Sequence, residues 1–407
     1  MASRIVVSSL LRQPLGRTTT SAAGRVCWFY RQHQLGRLAV TSAVQPARML
    51  PMLPMLPMVS HRLFASVPAG DDAHVRAGQP EEGSADPIVK LKRLGKQALD
   101  SGNYDEAAAR YNEALAAYVE RHGTRSHTDV SATLINLGNV ADADGRYEQA
   151  IQFYHESIQI NRSLAAIEED KKDDLELFVA TAQTNTATIH AERLHTQFEQ
   201  ALALHREALD TFVRIHGTRN HTNVAQVTRS IGHLYLQQQK HVEALKQYKE
   251  ALGYYQAAHQ SAPHADVAET LRSMGLACLY AFETQEAMKY FKESMDTYTE
   301  VLASRENLDV ALNLYRIGQC HHALFEFDEA IRCYKEARDI HIAVHGTRYH
   351  LDVGNDLYFM AAAVDQHGSE GEAEATSLYR EALEIYQKCP DTDPRLVESI
   401  KAIIQEA

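Results

Sequence analysis

The chain has 407 residues, enough for two or three average domains or for one long repeat array, so internal repeats have to be sought before domains are counted. It is 45% hydrophobic and 23% charged, and its formal charge of -12 argues against nucleic-acid binding, which would need a basic face. The five cysteines, Cys27, Cys278, Cys320, Cys333 and Cys389, are odd in number and share no common ligand spacing, which argues against a disulfide framework and against a metal site.

Residues 1–70 carry eight arginines, no lysine and no acidic residue, and are rich in serine and threonine. A positively charged segment without compensating acid is drawn toward the negative side of an energised membrane, and this composition is that of a transit peptide. The stretch Arg62-Leu63-Phe64-Ala65 resembles the site cut by the mitochondrial processing peptidase, so residues 1–64 are expected to be a mitochondrial presequence cleaved between Phe64 and Ala65. Its loss removes eight positive charges from a chain of net -12 and leaves -20. The expected location is the matrix or the inner membrane's periphery, with the intermembrane space left open. Met49–Met58, reading MLPMLPMLPM, is too short and too proline-rich to span a bilayer, so membrane association is expected only through partners. Residues 65–87, with Asp71, Asp72, Glu81, Glu82 and Asp86 among Gly, Pro and Ser, read as an acidic flexible linker.

From Ile88 onward one pattern recurs. Ala107, Ala150, Ala201, Ala244, Ala287, Ala330 and Ala375 are separated by 43, 51, 43, 43, 43 and 45 residues. Four residues after each stands Tyr111, Tyr154, His205, Tyr248, Phe291, Tyr334 or Tyr379, and twelve before most of them stands Gly95, Gly138, Gly232, Gly275 or Gly318. The first two positions share one helix face, and the glycine lets a preceding helix come close to it. Seven helix pairs are predicted, over 88–127, 128–166, 175–221, 222–264, 265–307, 308–350 and 351–390. A charged loop, IEEDKKDD, is expected as an insertion at 167–174, and a capping helix at 395–407. Three connections are nearly identical, His122-Gly-Thr-Arg-Ser-His127, His216-Gly-Thr-Arg-Asn-His221 and His345-Gly-Thr-Arg-Tyr-His350. There the glycine should end one helix, and the Thr or Asp after the second histidine should cap the next.

Stretches such as LGKQALDSGNYDEAAARYNEAL and LGNVADADGRYEQAIQFYHESI resemble the tetratricopeptide repeat, and GTRSHTDVSATLINLGNVADADGRYEQAIQFYHESI is similar to the extended repeat of kinesin light chains. The resemblance implies an all-α, right-handed α-α superhelix of about seven helix pairs with a terminal capping helix. It also implies a concave groove in which first helices hold peptides or helices of partner proteins. Groove positions on this reading are Lys92, Arg93, Lys96, Asn136, Asn139, Ser230, His233, Arg316 and Gln319, where amides can grip a partner's backbone. The first repeat resembles the opening of a carboxylate clamp, but Lys96 stands where that clamp has asparagine, and Gln183 and Ala187 stand where it needs cations.

No phosphate loop, GxSxG or HExxH is present, so neither catalysis nor a cofactor is expected. The adjacent His321 and His322 diverge on a helix and cannot readily share an ion, and Cys320 and Cys333 beside them read as small packing residues between paired helices. The expected function is a mitochondrial protein-interaction scaffold, an assembly factor or accessory subunit of a larger complex. The alternative is a kinesin-light-chain-like cytosolic adaptor whose basic arm is kept for docking.

Overall fold

The computed structural model describes residues 86–193, 198–368, 371–390 and 392–406. The expected presequence with Arg62, Phe64 and Ala65, and the linker up to residue 85, lie outside them. Among the described residues fifteen α-helices follow one another as seven antiparallel pairs and a last single helix. The pairs are α1 Pro87–Asp100 with α2 Tyr104–His122, α3 Thr128–Ala143 with α4 Tyr147–Ala165, and α5 Lys172–Thr188 with α6 Phe198–His216. Then come α7 Thr222–Gln237 with α8 His241–Ala258, α9 Ala265–Tyr280 with α10 Thr284–Leu302, α11 Leu308–Ala323 with α12 Phe327–His345, and α13 Leu351–His367 with α14 Glu372–Lys388. The chain ends in α15, Pro394–Glu406. Among the described residues no helix is long and apolar enough to cross a membrane.

The first helix starts where its chemistry allows. Pro87 needs no backbone partner at the first helical position, and the Asp86 carboxylate accepts from the Ile88 N–H at 3.0 Å. Within five pairs the contact is glycine against an aromatic ring. A Cβ placed on Gly95, Gly138, Gly232, Gly275 or Gly318 would lie 3.0, 2.4, 2.6, 2.6 or 2.7 Å from the ring of Tyr111, Tyr154, Tyr248, Phe291 or Tyr334. Packing then runs on without a break. One apolar cluster draws Ala225 from α7, Tyr248 from α8, Met274 from α9, Phe291 from α10 and Cys320 from α11. No inner pair is a domain by itself, because each buries its apolar faces on both neighbours.

Beyond the pairs, α3 touches α5, α7 touches α9, and α11 touches α13, whereas no two second helices meet as extensively. First helices therefore form the inner face of the stack.

The expected insertion is displaced. Residues Lys172, Asp173 and Asp174 are the first turn of α5, where acidic side chains meet the positive end of the helix, and Glu169–Lys171 is a short 3-10 turn. The additional residues of the third unit lie instead between its two helices, where a five-residue π-helix, Ile189–Arg193, continues α5. Sequence charge pointed to the wrong end because a run of acids and lysines serves a helix start as readily as a loop.

Candidate functional site: the inner face of the first helices

All nine expected groove residues lie on first helices, Lys92, Arg93 and Lys96 on α1, Asn136 and Asn139 on α3, Ser230 and His233 on α7, Arg316 and Gln319 on α11. Arg93 and Lys96 are exposed, and Asn136, Ser230, His233, Arg316 and Gln319 are half-buried. Asn139 differs. It is buried, and its Oδ1 accepts from the Tyr154 hydroxyl at 2.7 Å and from Asn185 Nδ2 at 3.0 Å. Its amide therefore ties α3 to α4 and α5 instead of facing a partner. His233 is held in the same way by the Tyr248 hydroxyl, 2.8 Å from its Nδ1. Burial, and then the positive charge of Arg229, push this imidazole well below its ordinary range, so it is neutral at pH 7.

Lys92 also points into packing. Its ammonium sits 5.9 Å from the Tyr118 ring, and burial lowers its pKa while Asp129 raises it. The same arrangement recurs with arginine. Arg229 lies 5.6 Å from the Tyr255 ring and donates to Glu269 at 2.6 Å, and Arg272 lies 5.3 Å from the Tyr298 ring and donates to Asp309 at 2.7 Å. Each arginine crosses the ring of its own second helix to reach an acid on the next first helix. These ties hold neighbouring units at a fixed spacing. They escaped sequence reasoning, although Arg229 and Arg272 both stand three residues before a register glycine and so carried the signal.

At the far end of the face, Arg316 Nη1 donates to Gln319 Oε1 at 2.9 Å, and Gln319 Nε2 donates to the Tyr315 hydroxyl at 3.0 Å. Tyr315 meets Phe359 of α13 edge-on at 5.4 Å. The result is a polar rim over an aromatic floor.

The family profile described as Tetratricopeptide repeat matches residues 88–163, 178–257 and 309–388, more than half of the chain. The chain belongs to the tetratricopeptide repeat family. A stretch of 85 residues is 32% identical to the photosystem I assembly protein Ycf3 of Acaryochloris marina, 21% of this chain and 48% of that one. The chain thus spans about half the length of the curated relative it matches. Among solved structures, the apo form of RapI superposes with a TM-score of 0.56 at 12% identity, over 79% of this chain and 86% of that one. Aspartyl phosphate phosphatase F from Bacillus subtilis gives 0.50 at 12% identity, over 81% and 94%. At that identity the likeness is one of fold.

Among the described residues, the connections between tetratricopeptide units gather three sets of metal-ligating groups. His122, His127 and Asp129, His259, His264 and Asp266, and His345, His350 and Asp352 each bring three ligand atoms within 4.8 Å of one another. Their geometry serves capping. The rings of His122 and His127 stack at 3.4 Å with planes 12° apart, so their in-plane lone pairs run side by side and do not converge on an ion. The cap is the second histidine and not the Thr or Asp after it. His127 Nδ1 accepts the Asp129 N–H at 3.1 Å, and His221, His264 and His350 do the same for Asn223, Asp266 and Asp352. This leaves the Asp129 carboxylate free to accept from His122 Nε2 at 2.9 Å. Gly123, Gly217 and Gly346 end the preceding helices with φ of 65°, 63° and 64°, as their positions in the sequence predict. Of the cysteine–histidine set near residue 320, Cys320 is buried with its thiol pushed up to about 12 by burial, and His321 engages Glu326 instead.

Proposed function

We propose that this chain is a non-enzymatic scaffold in mitochondria that holds protein subunits along the inner face of its first helices, as an assembly factor or accessory subunit of a larger complex. The observation that carries this reading is the exposed pair Arg93 and Lys96 on α1, cationic side chains on the inner face of a chain whose net charge is -12. An acidic or amide-rich segment entering at α1 and running toward the Arg316–Gln319–Tyr315 rim would find charge at one end and a polar-aromatic floor at the other. Family membership supports protein binding. The partial likeness to a photosystem I assembly protein supports a role in building complexes, and the arginine-rich, acid-free leader supports mitochondrial import.

Two measurements test it. The protein isolated from its source cells should begin at Ala65, and an intact Met1 would remove the mitochondrial half of the reading. Affinity purification from mitochondria should recover a defined set of proteins with the native chain and lose them with Arg93→Glu/Lys96→Glu, whose circular dichroism should be unchanged. Equal recovery with both chains would put binding elsewhere.

A further inference from the structure

The residue just after the register glycine is matched to the tip of the register ring that follows it in the chain. In the second unit Asn139 Oδ1 accepts from the Tyr154 hydroxyl at 2.7 Å, and in the fourth His233 Nδ1 meets the Tyr248 hydroxyl at 2.8 Å. In the fifth the two residues are Leu276 and Phe291, a ring with no hydroxyl to satisfy. The sixth unit departs from this rule. Gln319 holds the equivalent position, yet its Oε1 accepts from Arg316 Nη1 at 2.9 Å and its Nε2 donates to the Tyr315 hydroxyl at 3.0 Å. Tyr334 is fully buried, and its hydroxyl has no hydrogen-bond partner among the described residues. Such a group costs stability and calls for a cause.

What occupies Gln319 is a cation without an acid. On the two preceding first helices Arg229 and Arg272 reach Glu269 and Asp309, whereas among the described residues no carboxylate lies within 4.0 Å of Arg316. Asp352 and Asp356 of the next first helix are engaged by His345 at 3.1 Å and His341 at 2.6 Å. The Arg316 guanidinium rests 5.2 Å from the Tyr315 ring, half-buried on the inner face, with an amide oxygen as its acceptor. A partly desolvated guanidinium held this way favours a carboxylate over an amide, because the charged acceptor makes the stronger bond and fits the fork.

We propose that Gln319 is a switch residue of the inner face. When an aspartate or glutamate side chain of a partner takes Arg316, Gln319 Oε1 is released, the amide pivots on its bond to the Tyr315 hydroxyl, and Oε1 accepts from the Tyr334 hydroxyl as Asn139 does from Tyr154. This rests on the reading of the inner face as the partner-binding surface and adds the chemistry that its far end selects. The Tyr315 and Tyr334 rings lie 5.8 Å apart, so pivot and target share one neighbourhood. No hydrogen bond is given up in the exchange: Arg316 trades a neutral acceptor for a charged one, and the buried hydroxyl gains its partner. A partner with glutamine in place of the acid lacks the charge that displaces Gln319, so the orphan hydroxyl sharpens the preference for an acid.

Two measurements on the full chain test it. In thermal unfolding Tyr334→Phe should keep or raise the Tm, because it removes only an unsatisfied hydroxyl. In the Arg316→Met background, where the stem still packs on Tyr315 but Gln319 is free to turn, the same substitution should lower the Tm by about 2 °C. An equal effect in both backgrounds would show that Gln319 does not move and would overturn the proposal. The second measurement is anisotropy at about 0.15 M salt with a fluorescent peptide of Glu and Ser, both ends blocked, and its Gln/Ser analogue. The Glu peptide should bind and the analogue should not. Affinity should fall about tenfold in Arg316→Met and about threefold in Tyr334→Phe, whose buried hydroxyl is out of the peptide's reach. Failure of the Glu peptide to bind, or affinity unchanged in either variant, would overturn the switch, while the scaffold reading would still stand or fall on its own purification experiment.

Discussion

The second and third units share a register alanine, Ala150 and Ala201, yet they close differently. In the second, Gly138 lies under the Tyr154 ring and the hydroxyl finds Asn139. In the third, α5 has no glycine, and the ring is His205, buried, with no hydrogen-bond partner for Nδ1 among the described residues and with its pKa pushed down to about 3 by burial. The helix then runs on into a π segment, Ile189–Arg193, before the chain turns. A repeat array tolerates one loosely closed unit because its neighbours cover both faces, and such a unit is where opening begins.

Gly138→Ala should break the tighter unit most severely. Its Cβ would fall 2.4 Å from Tyr154, an overlap expected to cost about 3 kcal/mol in urea unfolding. Gln183→Ala in α5 should cost about 1 kcal/mol, and equal losses would show that the two units do not differ. Arg272→Ala should come next, at about 2 kcal/mol, because it removes a buried stem from the Tyr298 ring and leaves Asp309 without its partner. Met at the same place should recover part of that loss by packing alone. Amide hydrogen exchange should rank the units, with the end of α5 exchanging about tenfold faster than the end of α3. Identical protection would sink the idea of a weak third unit.

The smallest expected effect is in pH. His127, His264 and His350 are depressed by burial below the ordinary value of 6.5, and His216 to about 4. A base whose folded pKa is lowered binds fewer protons in the native state. Its stabilisation is present above pH 6.5 and is lost as pH falls from there, because a protonated Nδ1 cannot accept the cap N–H. The buried pair His341–Asp356, 2.6 Å apart, has the opposite sign. Burial raises the Asp356 carboxyl to about 7, so the fold gives up stability at this site as pH rises toward 7. Replacing His127 and His264 by Asn isolates the loops, because Asn307 already caps α11 by accepting the Asp309 N–H at 2.7 Å. The variant should match the native chain within about 0.5 kcal/mol at pH 7.5 and lose less stability between pH 6.5 and 5. An unchanged pH profile would show that the caps do not titrate there.

Seven helix pairs and their glycine–aromatic contacts were legible in the sequence because each rests on spacing, which a repeat states several times. The loop glycines were legible for the same reason. The cap residue was misread, since Thr and Asp are common caps and a histidine that accepts a backbone N–H through Nδ1 leaves no distinct sequence mark. Asn139 was taken for a groove residue because its position one after the glycine fits the inner face, while its bonds to Tyr154 and Asn185 come from elements 15 and 46 residues away.

By itself, the sequence determined the register, the helix pairing and the family, because local period and the absence of proline set which residues share a face. Only the tertiary structure decided which side chains of that face remain open. Arg93 and Lys96 stay exposed, while Lys92 is drawn against the Tyr118 ring of its own unit, Arg229 and Arg272 are drawn into ties between units, and Phe282 and Phe325 are left exposed at turns. The reason is physical: openness depends on what the neighbouring unit brings within reach, and that is a property of the stack.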